Sequence, residues 1–446
     1  MLNQFAFAIF VKTNQTTLHK HERIILLKQM KVFKFGGASI KDPQAIRNVL
    51  HVLQTVGYEN SLIIASAMGK TTNALEDVIH AYIKKPEELQ NAIQIVKNYH
   101  LDIMNELFEN KNHLVFDKVN VLFGEMEYFF ANNKSPNYNF VYDQIVCYGE
   151  LLSTTILSYF FNEQTLDNVW IDARNLIKTD TTYRDAHVDW TATEQNIKNQ
   201  LQAQKLYITQ GFIGSDPNHF SVTLGREGSD YSAAIFAYCM NAESVTIWKD
   251  VPGVLNADPR YFEDTVLLNQ ISYAEAIELA FYGASVIHPK TLQPLQRKEI
   301  PLYVKSFVNP LLAGTAVSKG ADLEPHTSCF IVKKNQSLVS FSSKDFSFIM
   351  EHQVSDIFRL FAEQHIKVNV IQNSAISFSV CVEDKFGNFE QILEQLQNNF
   401  KITFNENVDL YTIRHVTDEA AEKVMQEKTV LLKQVNRDTM QIVTQS

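Results

Sequence analysis

The chain has 446 residues, 45% of them hydrophobic, with a formal net charge of -10. That length and apolar content suit two or three domains with real cores, and the acidic balance argues against a nucleic-acid partner, which needs a basic face. No apolar run reaches the length that spans a bilayer, and Cys147, Cys239, Cys329 and Cys381 show no paired spacing, as in the reduced thiols of a cytoplasmic protein rather than a disulfide framework or zinc site.

Residues 5–11 are apolar but short. They have no basic residue before them and no small-residue cleavage site after them, which argues against a signal peptide. Residues 1–30 read as a disordered extension, with Met30 an alternative start. A short strand over 32–35 then runs into Gly36, Gly37 and Ser39, and an amphipathic helix follows over 43–55. Strand, glycines, helix is the order that cradles a phosphate. Lys34 adds a charge able to meet phosphoryl oxygens, although a lone Gly-Gly pair reads equally well as a turn and Lys34 as a solvated lysine.

A second strand, 61–65, leads into Ser66-Ala-Met-Gly-Lys-Thr-Thr-Asn73. Small hydroxylated residues at the carboxyl end of a strand suit a ligand's polar groups. Thr72 also reads as the N-cap of a helix over 74–84. Residues 86–133 keep a helical rhythm and read as scaffold. Within a helix over 141–161, Gly149 permits close approach beside Glu150, whose apolar flanks disfavour a merely solvated carboxylate. Strands over 169–172 and 205–210 flank a helix over 193–203.

Residues 221–260 carry the strongest pattern. Thr223-Leu-Gly-Arg-Glu-Gly-Ser-Asp-Tyr-Ser232 reads as a loop feeding a helix over 231–240, with Ser229 and Asp230 as N-cap residues. Free N–H groups at a helix start beside Arg226 favour an anion. The next strand, 244–248, ends in Lys249 and Asp250, a cation and a carboxylate placed to suit a phosphate and its magnesium. A helix over 273–280, the stretch Gly283-Ala-Ser-Val-Ile-His-Pro289 and a strand over 302–306 complete a first domain, 31–310. His288 reads as structural. Alternating strands and helices predict an α/β fold with a mostly parallel sheet between helices. Residues 311–327 read as a linker. Beyond it, strands are expected over 328–332, 338–342, 367–371, 376–382, 401–404, 409–414, 429–433 and 440–443, with helices over 354–365, 389–398 and 418–425.

Lys34-Phe-Gly-Gly-Ala-Ser39 and the 223–232 stretch together resemble the aspartate kinases of the amino-acid kinase family, from about Lys31 to the C-terminus. The resemblance implies an amino-acid kinase fold followed by ferredoxin-like ACT units over 328–446, the second shortened. It implies phosphorylation of the side-chain carboxylate of L-aspartate by ATP with Mg2+. The product is 4-phospho-L-aspartate, the first step of lysine, threonine and methionine biosynthesis. The catalytic candidates are Lys34, Lys249 and Asp230. Substrate contacts fall on Thr72, Glu150, Arg226, Glu227, Gly228 and Ser229, with Glu150 taking the ammonium and Arg226 a carboxylate. Nucleotide contacts fall on Lys34, Phe35, Gly36, Gly37, Ser39, Lys249, Asp250, Leu255, Arg260 and Ser285. No protein metal site is expected.

Four positions depart from the family pattern. Glu227 stands where glycine is usual, Lys249 where threonine is, Leu255 where tyrosine is, and Ser285 where relatives carry a lysine. Relocation of that cation to Lys249 is the favoured account, because transfer between two anions needs the charge. The rivals are another enzyme of the same fold, such as acetylglutamate kinase or uridylate kinase, and a non-catalytic amino-acid sensor. A homodimer through the ACT region is expected. Asn369 and Ala375 stand where lysine-sensing relatives have carboxylates, so threonine is expected as effector over lysine.

Overall fold

The computed structural model describes residues 29–284, 287–385 and 387–445. They form two compact units, one built from residues up to 252 together with 290–319, the other from 253–289 together with 320 onward. In chain order the elements begin with β1 (Lys31–Phe35), α1 (Pro43–Val56), β2 (Ser61–Ala65), α2 (Thr71–Lys84), α3 (Leu89–Leu107), α4 (Leu114–Asn132) and α5 (Tyr138–Glu163). Then come β3 (Val169–Ile171), α6 (Ala173–Leu176), α7 (Trp190–Gln200), β4 (Leu206–Gln210), β5 (Ile213–Ser215), β6 (Ser221–Thr223), α8 (Gly228–Met240) and β7 (Ser244–Lys249). The central region closes with β8 (Gln270–Ser272), α9 (Tyr273–Tyr282), α10 (Pro289–Lys298), β9 (Leu302–Ser306) and β10 (Thr315–Ser318).

The first unit is organised on a sheet in the order β3-β4-β2-β1-β7-β9-β10. All of these pairs are parallel except β9 with β10. Every residue of β2 and β4 is buried, as expected of parallel strands covered on both faces. Because the strands are parallel, β1, β2, β4 and β7 all deliver their carboxyl ends to one edge, where ligands of such sheets gather. The ladder continues past the strand ends: the Ser66 amide donates to the Phe35 carbonyl and the Gly211 amide to the Ala65 carbonyl. Helix α5 is buried almost all round from Val141 to Phe161, the mark of a helix inside a core rather than on a surface. Met30 is buried, and its carbonyl accepts from the Glu243 amide. The extension expected over residues 1–30 falls mostly outside the described residues. Thr315–Ser318, inside the stretch read as a linker, pairs with β9.

The second unit contains β11 (Cys329–Ser343), α11 (Glu351–Glu363), β12 (Lys367–Asn373), β13 (Ser377–Glu383), α12 (Phe389–Leu396), β14 (Phe400–Arg414), α13 (Asp418–Met425), β15 (Thr429–Asn436) and β16 (Thr439–Gln445). Its sheet is antiparallel, in the order β12-β13-β11-β14-β16-β15. Two pairs of expected strands prove to be one long strand each. The polar stretches around Asn335 and Asn407 look like turns in sequence. Instead, β11 and β14 pair along their whole length and absorb those residues as register shifts near Lys333 and Gln336. One core, around Phe341, Phe361 and Phe378, sits under α11 and α12. Another, around Ile413, Val424 and Ile442, sits under α13.

Candidate active site

The site is built where the loops after β1 and β2 meet α5 and the start of α8. The loop after β1 needs Gly37. A Cβ there would lie 2.7 Å from the Ala67 carbonyl oxygen and 2.9 Å from that of Gly69. With no side chain in the way, the Gly69 amide donates to the Gly37 carbonyl at 3.1 Å. The Ser39 hydroxyl donates to the Gly36 carbonyl at 2.6 Å and stiffens the turn.

Gly149 does the same for α5. A Cβ there would stand 2.8 Å from the Ala67 Cβ, so only glycine lets the helix come this close. The approach brings Glu150 beneath the loop, where Oε1 accepts from the Ala67 amide at 3.0 Å. Glu150 is 3% exposed, and its Oε2 makes no hydrogen bond among the described residues. Burial pushes its carboxyl up to about 8, against the opposing pull of the Ala67 amide and the Lys34 charge.

The start of α8 corrects one expectation. The helix begins at Gly228, and its N-cap is Glu227 in the left-handed region (φ 54°) with no side-chain cap. Ser229 and Asp230 therefore lie within the first turn. Glycine is at home in that backbone region, and other residues adopt it at a cost. Asp230, not being engaged as a cap, turns to Lys34. Lys34 Nζ lies 2.6 Å from Asp230 Oδ1, and both side chains are largely buried. Thr72 is likewise the second residue of α2, whose N-cap is Lys70.

A cavity of about 390 Å³ is lined by Lys34, Thr72, Glu150, Arg226, Glu227, Gly228, Ser229 and Asp230. The structure thus gathers these eight expected residues from four separate stretches. The remaining described ones do not line it. Phe35 is buried and stacked on Trp248, with ring centroids 6.0 Å apart. Gly36, Gly37 and Ser39 form the adjoining turn. Lys249 ends β7, partly buried and one residue past the Phe35–Trp248 register pair, and Asp250 beyond it is exposed. Leu255 and Arg260 belong to the second unit. Arg260 is exposed and held by Asp258 at 2.6 Å. Ser285 lies outside the described residues.

Sequence reasoning missed three residues here. Asp143 is fully buried in α5. Its Oδ2 accepts from the amides of Arg184 and Thr223, both at 2.9 Å, and its Oδ1 accepts from the Thr223 hydroxyl at 2.8 Å. It pins two distant loops to the helix, and burial pushes its carboxyl up to about 6 despite those donors. A signal existed, since Asp143 precedes Glu150 by two helical turns and shares its face. Tyr142 donates to Glu76 Oε1 at 2.8 Å and, like Arg184, lines the cavity.

Residues 29–306 match the amino acid kinase family. The chain is 30% identical to the lysine-sensitive aspartokinase 3 of Escherichia coli, over 80% of this chain and 79% of that one. The chain belongs to the aspartokinases of that family. A bifunctional aspartokinase/homoserine dehydrogenase of Arabidopsis thaliana is also 30% identical, over 83% of this chain. The chain spans only 42% of the length of that bifunctional relative. Among solved structures, E. coli aspartokinase III in complex with lysine and aspartate superposes with a TM-score of 0.78 at 26% identity, covering 93% of this chain and 95% of that one. The same enzyme with aspartate and ADP gives 0.77 at 25% identity, over 93% and 96%. The expected fold class stands: an amino-acid kinase fold followed by ferredoxin-like units like those of the aspartokinases.

Proposed function

We propose that this aspartokinase transfers the γ-phosphoryl group of ATP to the side-chain carboxylate of L-aspartate. The bond between the γ-phosphorus and the ADP oxygen breaks, and a bond from phosphorus to a carboxylate oxygen forms, giving 4-phospho-L-aspartate. The observation that carries this reading is the unpartnered, buried Glu150 Oε2 on a cavity that also holds two guanidinium groups and Lys34. A carboxylate slot for an ammonium, among cations for carboxylates, fits an amino diacid. The E. coli relative solved with aspartate and ADP supports it.

Aspartate's side chain is already ionised at neutral pH, so no general base is needed. Catalysis then rests on positioning and charge. Glu150 takes the ammonium, helped by Thr72, Ser229 and Asp230. Arg226 takes a carboxylate. Lys34, oriented by Asp230, faces the transferred phosphoryl group beside the Gly36–Gly37 turn. Among the described residues no group of three or more His, Cys, Asp or Glu could hold a metal ion. Magnesium would be carried by phosphate oxygens and water, with Asp250 an exposed carboxylate just past the end of β7. The ion would neutralise phosphate charge during transfer. A non-catalytic sensor is disfavoured by the intact Lys34–Asp230 pair.

ADP release coupled to a spectrophotometric readout tests the reading. Release should depend on L-aspartate and should not occur with acetylglutamate or UMP. No release with aspartate, or equal release with the others, overturns it.

Regulation, assembly and location extend the proposal. In the second unit Asn369 Oδ1 already accepts from Lys333 Nζ at 2.8 Å, and Asn369 Nδ2 donates to Gln336 Oε1 at 2.8 Å. An effector ammonium at Asn369 would meet a cation instead of a carboxylate, which favours threonine over lysine as effector. We place a homodimer contact in the ACT region. The product would feed lysine, threonine and methionine biosynthesis in the cytoplasm, where the four buried, unpaired thiols stay reduced.

A further inference from the structure

The cavity holds a second guanidinium that no motif signalled. Arg184 lies between α6 and α7 and lines the cavity. Its guanidinium carbon is 4.3 Å from the centre of the Tyr142 ring and 5.7 Å from that of Tyr138. Those rings hold its face and leave its N–H edge available. It forms no ion pair with an acidic side chain among the described residues. Its backbone has φ 72°, a region that penalises any residue with a Cβ. Asp143 Oδ2, accepting from the Arg184 amide, fixes it there. An unfavourable backbone conformation kept at a position whose side chain reaches a ligand cavity points to use.

The cavity also has direction. Glu150 contacts the Ala67 amide and feels the charge of Lys34, which marks the phosphoryl end. Tyr142, on which Arg184 stacks, precedes Glu150 by eight residues in α5, about 12 Å along the helix axis. Arg184 therefore approaches from the end away from Lys34. An amino diacid with its ammonium on Glu150 directs one carboxylate toward Lys34 and leaves the other facing away from it. Building on the proposed function, we infer that Arg184 binds the carboxylate that is not phosphorylated. It would thereby select substrates bearing a free α-carboxylate.

Arg184→Gly is the informative variant. Glycine adopts the left-handed backbone without strain, so the Asp143 contact and the fold are kept. Arg184→Lys keeps the charge without the planar fork. The measurements are kcat, the KM values for L-aspartate and ATP, and kcat/KM for the α-amide of L-aspartate, in the wild type and both variants. In Arg184→Gly the KM for aspartate should rise about tenfold or more, as expected for a lost charge-assisted contact. The KM for ATP and the melting temperature should hold, and the preference for aspartate over its α-amide should fall by a similar factor. Arg184→Lys should be intermediate. An unchanged aspartate KM, an equal loss for aspartate and α-amide, or a loss confined to ATP overturns the assignment in an active enzyme. A wild-type chain that never turns over aspartate overturns the function itself, and this inference with it.

Discussion

Lys34 shows how far one residue's role depends on a partner distant in sequence. Read from the motif, Lys34→Ala should abolish turnover and leave the fold intact. The structure changes the second half of that expectation. Asp230 is buried against Lys34 at 2.6 Å, and breaking such a pair from one side costs about 3–5 kcal/mol because a charge is left buried alone. Lys34→Ala should therefore lose turnover and melt at a clearly lower temperature. The double variant Lys34→Ala with Asp230→Asn should regain melting temperature without regaining turnover. An unshifted melting temperature in the single variant would show that the pair contributes nothing to stability.

Glu150 gives the site a pH dependence whose sign is fixed. Burial raises its carboxyl from the ordinary range to about 8, so the empty site holds a proton at neutral pH. Its contribution to folding is complete below the ordinary carboxylate range and is lost as pH rises through about 8. A substrate ammonium needs the ionised form, so binding of aspartate releases that proton. Aspartate affinity should rise between about pH 6.5 and about pH 8.5, and so should the melting-temperature gain from aspartate. Glu150→Gln should bind weakly with no such slope. A slope that persists in that variant assigns the proton to another group.

At the scale of elements, the starts and ends of α8 and β7 set the chemistry. Glu227 occupies the left-handed position that opens α8, which explains why glycine is usual there in the family. Lys249 ends β7, the neighbour of β1. The register pairs Lys34 with Ile247, so strand alternation puts Lys249 on the same face as Lys34. That supports Lys249 as the cation standing in for the lysine that Ser285 replaces. Lys249→Thr should lose most activity, and adding Ser285→Lys should restore part of it. Full activity in the single variant, or no recovery in a folded double variant, removes the idea.

At the scale of the whole molecule, the proposed function puts catalysis on the first unit and effector sensing on the second, which has its own internal polar contacts. Lys333 is pushed down to about 8 by burial and by the neighbouring Lys367 charge, yet it still bonds Asn369. This leaves a poor seat for another ammonium. Turnover at subsaturating aspartate should fall little, if at all, with rising lysine, and more with threonine. Strong inhibition by lysine alone would mean that a carboxylate from elsewhere completes the pocket.

Much of the fold was legible locally. Residues 61–65, 302–306 and 418–425 are the observed bounds of β2, β9 and α13. Buried parallel strands are apolar runs, and an amphipathic helix with a cap shows itself within a few residues. The glycines of the loop after β1 and of the 225–228 turn marked the two turns that border the cavity. The eight gathered residues followed from those motifs and from the family resemblance.

What stayed hidden depends on contacts that no local pattern carries. The joining of β11 with β14 turned two apparent turns into register shifts, because cross-strand pairing outweighs turn propensity. Asp143 looked like one more helix acid until two loops far along the chain placed three donors on it. Arg184 had no motif, and only the packing of Tyr142 and the Asp143 hydrogen bond aim it at the cavity. The sequence alone determined the fold class, the glycine turn after β1 and the family. The tertiary structure alone decided which charges are paired and which are left for a ligand, because that balance depends on burial and on distances between residues far apart in the chain.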